Sequence, residues 1–244
     1  MTLALIGAGP GDPALLAPRA AAALAAATDL VGYGPYLDRL PQRAGQARHP
    51  SDNRVEMERA RHALGLAAAG RRVAVVSAGD TGVFGMAAAV FEAIDAHPPW
   101  RTLDIEVIPG ISALLAAAAR LGAPLGHDFC AISLSDNLKP WEAVLGRLRA
   151  AAGAGFVIAL YNPLSRARPW QLGAAFDLLR TLLPGGTPVA FATAISRADE
   201  RVALATLADA DPAAADMRTL VLVGAAATRR IAGTDWLYTP RRSA

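Results

Sequence analysis

Several short apolar runs of this chain break into segments whose residue types could do chemistry. The first such segment is Gly7-Ala8-Gly9-Pro10-Gly11-Asp12. A dinucleotide-binding turn wants a third glycine where Asp12 stands, and Pro10 removes a backbone N–H that would help cradle a pyrophosphate. No Gly-Lys-Ser/Thr follows, which excludes a P-loop. Taken alone, the segment reads equally as a strand-to-helix turn or a ligand loop. The second is Ser77-Ala78-Gly79-Asp80-Thr81-Gly82-Val83-Phe84-Gly85. It puts pliable backbone and one carboxylate just after a buried strand, where open α/β sheets bind ligands. Asp80 there can face a cation, an amino group or a ribose, or it can cap the next helix. The third, Pro109-Gly110-Ile111-Ser112-Ala113, follows another strand, with Ser112 in an N-cap position. Tyr161-Asn162-Pro163 ends a later strand, beside Ser165, Arg166 and Arg168. The two guanidinium groups can clamp carboxylates or solvate a loop.

Other chemistries find little footing. His49, His62, His97 and His127 lack metal-ligand spacing, and one cysteine, Cys130, can supply neither a zinc cluster nor an intrachain disulfide. Cys130 sits in an apolar run and reads as a buried small residue, in keeping with a reducing compartment. No metal is expected. There is no G-x-S-x-G nucleophile elbow, and Trp141 and Trp170 adjoin prolines at helix starts, where packing is the default role. Lys139 is the only lysine; every other basic side chain outside the histidines is an arginine. The formal net charge is +3 with no Lys/Arg block, which argues against a nucleic-acid partner and for an anionic small molecule. Residues 1–9 have no basic start, so no secretory signal is expected. Arg19, Asp29 and Arg120 interrupt the apolar stretches before any reaches the ~20 residues of a membrane span. The expectation is a cytoplasmic protein with no membrane partner.

The elements that must position these segments follow from pattern. A chain of 244 residues, 53% hydrophobic and 18% charged, can bury one large or two compact cores. Residues 3–6, 29–33, 72–77 and 104–108 read as strands. Residues 13–27, 56–69, 87–96 and 112–120 read as helices. After the interruption at Gly122-Ala123-Pro124-Leu125-Gly126 the alternation resumes. Strands are expected at 129–134, 156–161, 189–194 and 219–223, with helices starting at Trp141 and Trp170 and an exposed loop over 208–216. This predicts two α/β domains, 1–122 and 127–244, each with a mixed or mostly parallel sheet flanked by helices.

Taken in order, these segments resemble the tetrapyrrole methylases, a family that includes uroporphyrinogen-III and precorrin methyltransferases and, more remotely, diphthine synthase. The carriers are the Gly7, Ser77 and Pro109 segments and Val221-Leu222-Val223-Gly224, which together span nearly the whole chain. A narrower set is similar to one precorrin-methylating branch: Val31-Gly32-Tyr33-Gly34-Pro35-Tyr36, Met57-Glu58-Arg59-Ala60, Ala131-Ile132-Ser133-Leu134-Ser135-Asp136 leading to Pro140-Trp141, and Tyr161-Asn162-Pro163-Leu164-Ser165-Arg166 continuing to Arg168-Pro169-Trp170-Gln171-Leu172. The chain departs from that branch at Thr193-Ala194-Ile195-Ser196, where Arg-Asn-Ala-Gly is usual, and at Ala225-Ala226, which replace Asn-Ser.

The resemblance implies a homodimer of two-domain subunits with an active-site cleft between the domains, binding S-adenosylmethionine and releasing S-adenosylhomocysteine. By position, Pro10, Gly79, Asp80, Val83, Ser112, Ala113, Asn162, Ala194 and Thr219 would line the cofactor pocket, mostly through backbone groups. The implied reaction, a step of cobalamin biosynthesis, methylates C17 of precorrin-3B and contracts the ring to precorrin-4. Ring contraction asks for a base and an acid, and Tyr36, Asp12, His127, Asp136 and Lys139 are the candidates. Arg39, Arg54, Arg166 and Arg168 are candidate clamps for the carboxylate arms of the tetrapyrrole. Alternatives are methylation at another precorrin carbon or of the cobalt-containing analogue. Rivals of other classes are a nicotinamide-dependent oxidoreductase, opposed by Pro10 and Asp12, and a non-catalytic carrier of pathway intermediates.

Overall fold

The computed structural model describes residues 2–242, so Met1, Ser243 and Ala244 at the ends of the expected domain spans lie outside the described residues. The chain divides into two compact units between Ala113 and Leu114. Residues 122–126, expected to mark the boundary, belong with the second unit, because Gly122 and Ala123 pair with Leu237 and Tyr238.

The first unit has strands β1 (Leu3–Gly7), β2 (Asp29–Tyr33), β3 (Ala47–Ser51), β4 (Val73–Ser77) and β5 (Ile105–Ile108). Its helices are α1 (Pro18–Ala26), the single turn α2 (Gly34–Leu37), α3 (Glu56–Ala68) and α4 (Met86–Ala96). The strands form one wholly parallel sheet in the order β3-β2-β4-β1-β5. Side chains alternate across a strand, so β1 sends Leu3 and Leu5 into a core with α3 and α4, and Ala4 and Ile6 into a second core against α1. Both faces being covered, the central strands read as unbroken apolar runs.

Two expectations are corrected here. The helix expected over 13–27 is a short 3-10 turn, Pro13–Leu15, followed by α1, because Pro18 lacks the N–H that would continue an earlier helix and instead opens a new one. And the sheet has a fifth strand, β3, whose sequence Ala-Arg-His-Pro-Ser carries no apolar alternation. It lies at the sheet edge, the place where a proline such as Pro50 is tolerated in a strand.

The second unit contains α5 (Ala113–Leu121, which opens at the division), β6 (Gly122–Ala123), β7 (Phe129–Ser133), α6 (Trp141–Gly153), β8 (Val157–Tyr161) and α7 (Gln171–Arg180). It continues with β9 (Pro188–Thr193), β10 (Arg201–Thr206), β11 (Thr219–Val223), β12 (Arg229–Arg230) and β13 (Leu237–Tyr238). The main sheet runs β10-β9-β11-β8-β7 and is mixed: β7 and β8 are parallel, and every other pairing is antiparallel. Helices α6 and α7 close one face through Val144, Leu148, Leu172 and Phe176. The stretch 208–216 is not wholly an exposed loop, since Ala210 and Ala215 enter the same core.

Candidate active site

Strands β4, β1 and β5 are neighbours, so the three glycine segments that follow them emerge side by side at one sheet edge. They are knit together through backbone. Gly9 and Gly79 exchange N–H···O bonds of 3.0 and 2.8 Å, and the Ala8 N–H donates to the Ser77 carbonyl at 2.9 Å. Contact is so close that a Cβ on Gly7 would come within 2.6 Å of the Gly110 nitrogen and 2.8 Å of the Gly79 carbonyl oxygen. Gly9 and Gly79 have φ of 75° and 67°, a region L side chains disfavour.

Asp80 accounts for much of this order. Its Oδ1 accepts from the N–H groups of Gly82 and Val83 at 2.7 and 3.1 Å, and its Oδ2 from the N–H of Gly110 at 3.0 Å. The carboxylate therefore staples the loop after β4 to the loop after β5, and it does not cap α4, whose N-cap is Gly85. Ser77, missed in the sequence as more than a strand end, accepts from Met86 N–H at 3.1 Å and fixes the start of α4. Pro10 and Ser112 are buried, while Val83 and Phe84 are exposed at the loop tip.

In the second unit the expected cofactor residues also share one edge. Asn162 follows β8, Ala194 follows β9, and Thr219 opens the antiparallel β11 opposite Thr193. Asn162 and Ala194 have φ of 52° and 51°. Non-glycine residues held there store strain of about 1–3 kcal/mol, which persists where the fold enforces it and concentrates at functional sites. The enforcement is visible: Asn162 Nδ2 donates to Ser133 Oγ at 3.0 Å, and Ala194 N–H to the Arg218 carbonyl at 3.1 Å. The Thr219 and Thr193 hydroxyls meet at 2.8 Å. Burial opposes ionisation of nearby Asp216, but the Arg218 N–H, the Thr219 hydroxyl and the Arg218 guanidinium hold its carboxyl below the ordinary value.

The candidate acid–base residues fall into separate groups. In the first unit, Asp12 accepts from the Ala14 N–H at 2.8 Å and caps the 3-10 turn. Tyr36 stacks edge-on with Tyr33, ring centroids 5.1 Å apart, under the Arg39 guanidinium at 5.5 Å. In the second unit, His127 Nδ1 accepts from the Asp128 N–H at 2.8 Å. Asp136 and Lys139 belong to one cluster with Gln171 and Arg168. Gln171 Nε2 donates to Asp136 at 3.1 Å and Lys139 Nζ to the Ser135 carbonyl at 2.9 Å. Burial, then Arg147 and Arg168, push the Lys139 ammonium below its ordinary value, against Asp136.

Of the arginines expected to clamp carboxylates, Arg39, Arg54 and Arg166 are exposed. Arg168 is buried and donates to the Asn162 carbonyl at 3.2 Å, so it braces the turn after β8. Trp141 and Trp170 pack edge-on at 5.0 Å. A further group, reaching from buried Asp29 to the surface, was not foreseen: Asp29 accepts from Arg71 Nε at 2.8 Å and meets His49 Nε2 at 3.0 Å, and His49 Nδ1 lies 3.0 Å from His62 Nε2. Burial raises the Asp29 pKa, but Arg71, Thr28 and His49 outweigh it and hold the carboxyl at about 2. Among the described residues no three His, Cys, Asp or Glu side chains converge as a metal site.

Comparison with known proteins adds to this geometry. The family model for Tetrapyrrole (Corrin/Porphyrin) Methylases matches residues 2–211. The chain is 57% identical to a precorrin-3B C(17)-methyltransferase of Sinorhizobium sp, over 98% of this chain and 96% of that one. A crystal structure of the methyltransferase CobJ superposes with a TM-score of 0.95 at 53% identity, covering 98% of this chain and 99% of that one. A uroporphyrin-III C-methyl transferase from Thermus thermophilus, complexed with S-adenosylhomocysteine, gives a TM-score of 0.66 at 25% identity and 91% coverage of both chains.

Proposed function

Because the chain belongs to the tetrapyrrole methylases, we propose that it transfers the methyl group of S-adenosylmethionine to C17 of precorrin-3B, with ring contraction to precorrin-4. The observation that carries this reading is the likeness to the Sinorhizobium enzyme along nearly the full length of both chains. The neighbour complexed with S-adenosylhomocysteine supports the choice of methyl donor.

The residues present fit that donor in kind. When bound, it supplies an electrophilic methyl group on a sulfonium. The proposed contacts from the first unit are backbone groups of Pro10, Gly79, Val83, Ser112 and Ala113. At Pro10, Gly79 and Val83 they are carbonyl oxygens, because Pro10 has no N–H and those of Gly79 and Val83 are bonded to Gly9 and Asp80, while the Asp80 carboxylate is occupied in holding the loops. Carbonyl dipoles favour a cation without the desolvation that a charged side chain would require. From the second unit, the proposed contacts are Asn162, Ala194 and Thr219, on backbone fixed in advance by the bonds described. Such fixed positions suit an in-line displacement, whose barrier falls with alignment.

Ring contraction moves a proton from the C20 hydroxyl. Among the candidates we favour the Asp136–Lys139 cluster, since Gln171 holds Asp136 at 3.1 Å and the Ser135 carbonyl holds Lys139 at 2.9 Å, and burial with Arg147 and Arg168 lowers the Lys139 pKa against Asp136. Arg39, Arg54 and Arg166 would meet the substrate's carboxylate arms. A homodimer in the cytoplasm is part of the same proposal; among the described residues, no helix is long and apolar enough to cross a membrane.

Parallel incubations with precorrin-3B and with its cobalt-containing counterpart, each with S-adenosylmethionine, test the assignment by product mass. Gain of one methyl on the cobalt-free substrate supports it. Gain only on the cobalt form moves the substrate to that analogue, and gain on neither overturns the reading.

A further inference from the structure

Among the described residues, the buried guanidinium of Arg59 meets no carboxylate. It projects from α3, is 5% exposed, and makes three hydrogen bonds, all to neutral acceptors. Nε donates to Ser51 Oγ at 2.7 Å, Nη1 to Met86 Sδ at 3.2 Å and Nη2 to the Asp52 carbonyl at 2.5 Å. Guanidinium has five N–H bonds, so one remains on each terminal nitrogen to donate to a carboxylate. Glu56, the acidic side chain whose field favours the charge most, is exposed and takes the Arg54 N–H at 3.2 Å. Burial lowers the Arg59 pKa, against Glu56, Tyr36 and Tyr33, yet a guanidinium stays charged throughout the working pH range.

The position of this charge is informative. Ser51 ends β3 beside Tyr33 at the end of β2, and Met86 begins α4 directly after the Ser77–Gly85 loop. The cation therefore stands at the ligand edge of the parallel sheet, where open α/β sheets bind. Elsewhere in this unit the buried charge has partners: Asp29 is met by Arg71, His49 and Thr28. A buried charge with only neutral neighbours is destabilising, and a matching anion relieves it.

We propose that Arg59 is a carboxylate-binding residue, completed when a ligand carboxylate takes its two remaining N–H groups. The proposal rests on the methylase reading only for the source of that carboxylate, which is an arm of the tetrapyrrole or the amino-acid end of the cofactor.

The test compares wild type, Arg59→Gln and Arg59→Lys in binding three probes: uroporphyrin III, its octamethyl ester and S-adenosylhomocysteine. Melting temperature is recorded for each variant. Arg59→Gln is expected to weaken uroporphyrin at least ~10-fold, as loss of a charge-assisted pair implies, and Arg59→Lys to weaken it less, with the ester unaffected. Selective loss of S-adenosylhomocysteine instead supports the same residue role and assigns the carboxylate to the cofactor. Unchanged binding of both acids in a folded variant overturns the proposal. So does an equal loss of all three probes with a lowered melting temperature, which marks Arg59 as a brace only. If Arg59→Gln does not fold, Arg59→Lys decides by the same comparison. No arm requires turnover, so absence of methyl transfer to precorrin-3B would refute the assigned reaction while leaving this result readable.

Discussion

Replacing Asp80 by Asn separates a staple from a ligand contact. Asn keeps one carbonyl oxygen, which can still accept from Gly82 and Val83, but it turns an amino group toward the Gly110 N–H now held by Oδ2 at 3.0 Å. Two donors then face each other where a charge-assisted bond stood. Such bonds contribute about 1.5–3 kcal/mol, and since Asp80 is only half-buried, the expected loss is about 2 kcal/mol. For a chain of this size that corresponds to a drop in melting temperature of roughly 4–8 °C. The loops after β4 and β5 lose their tie, so S-adenosylhomocysteine affinity, read by calorimetry, should fall at least ~10-fold along with it. The two losses must appear together. If Asp80→Asn lowers affinity and leaves the melting temperature unchanged, Asp80 touches the ligand directly and the staple argument fails.

Three further outcomes follow from the same structure. Asp29 has its folded pKa depressed from 3.8 to about 2, so its stabilising share is present above about pH 4 and is lost as the pH falls toward 2. That share is about 2 kcal/mol, and urea unfolding between pH 5 and 2 should show wild type losing most of it relative to Asp29→Asn. Phe176→Ala empties a fully buried site packed edge-on against Phe191 and should cost about 3–5 kcal/mol in denaturant unfolding. Arg166→Ala should raise the KM for the tetrapyrrole about 10-fold while leaving cofactor affinity unchanged, as kinetics and calorimetry would show; equal losses in both would count against the clamp.

What the sequence made legible was whatever rested on strong local pattern. The apolar runs of β1, β4, β8 and β11 and the glycine segments beyond them were readable, because buried strands and tight turns constrain residue type directly. Two strands at sheet edges, β3 and β10, were assigned no element, and the Ala-Arg-His-Pro-Ser of β3 carries no apolar alternation, whereas the edge strands β5 and β7 were readable from their apolar residues. A mixed or mostly parallel sheet was expected for each unit, and which of the two each takes was left open, since strand direction depends on connections and leaves no mark on composition. Partnerships were hidden most of all. Asp80 looked like a free carboxylate or a helix cap, and only the register of β1 between β4 and β5 brings Gly110 to it. The Asp29–His49–His62 chain joins residues on β2, β3 and α3, whose spacing carries no motif.

Methyl transfer to C17 of a contracting ring can be read directly in one measurement. The purified chain is incubated anaerobically with precorrin-3B, generated in situ, and S-adenosylmethionine bearing a carbon-13 methyl group, and the product is read by NMR and mass spectrometry. A single label at C17, accompanied by the acetyl signal of ring contraction, is the predicted result. Binding of S-adenosylhomocysteine without transfer of label to precorrin-3B would contradict the assigned reaction.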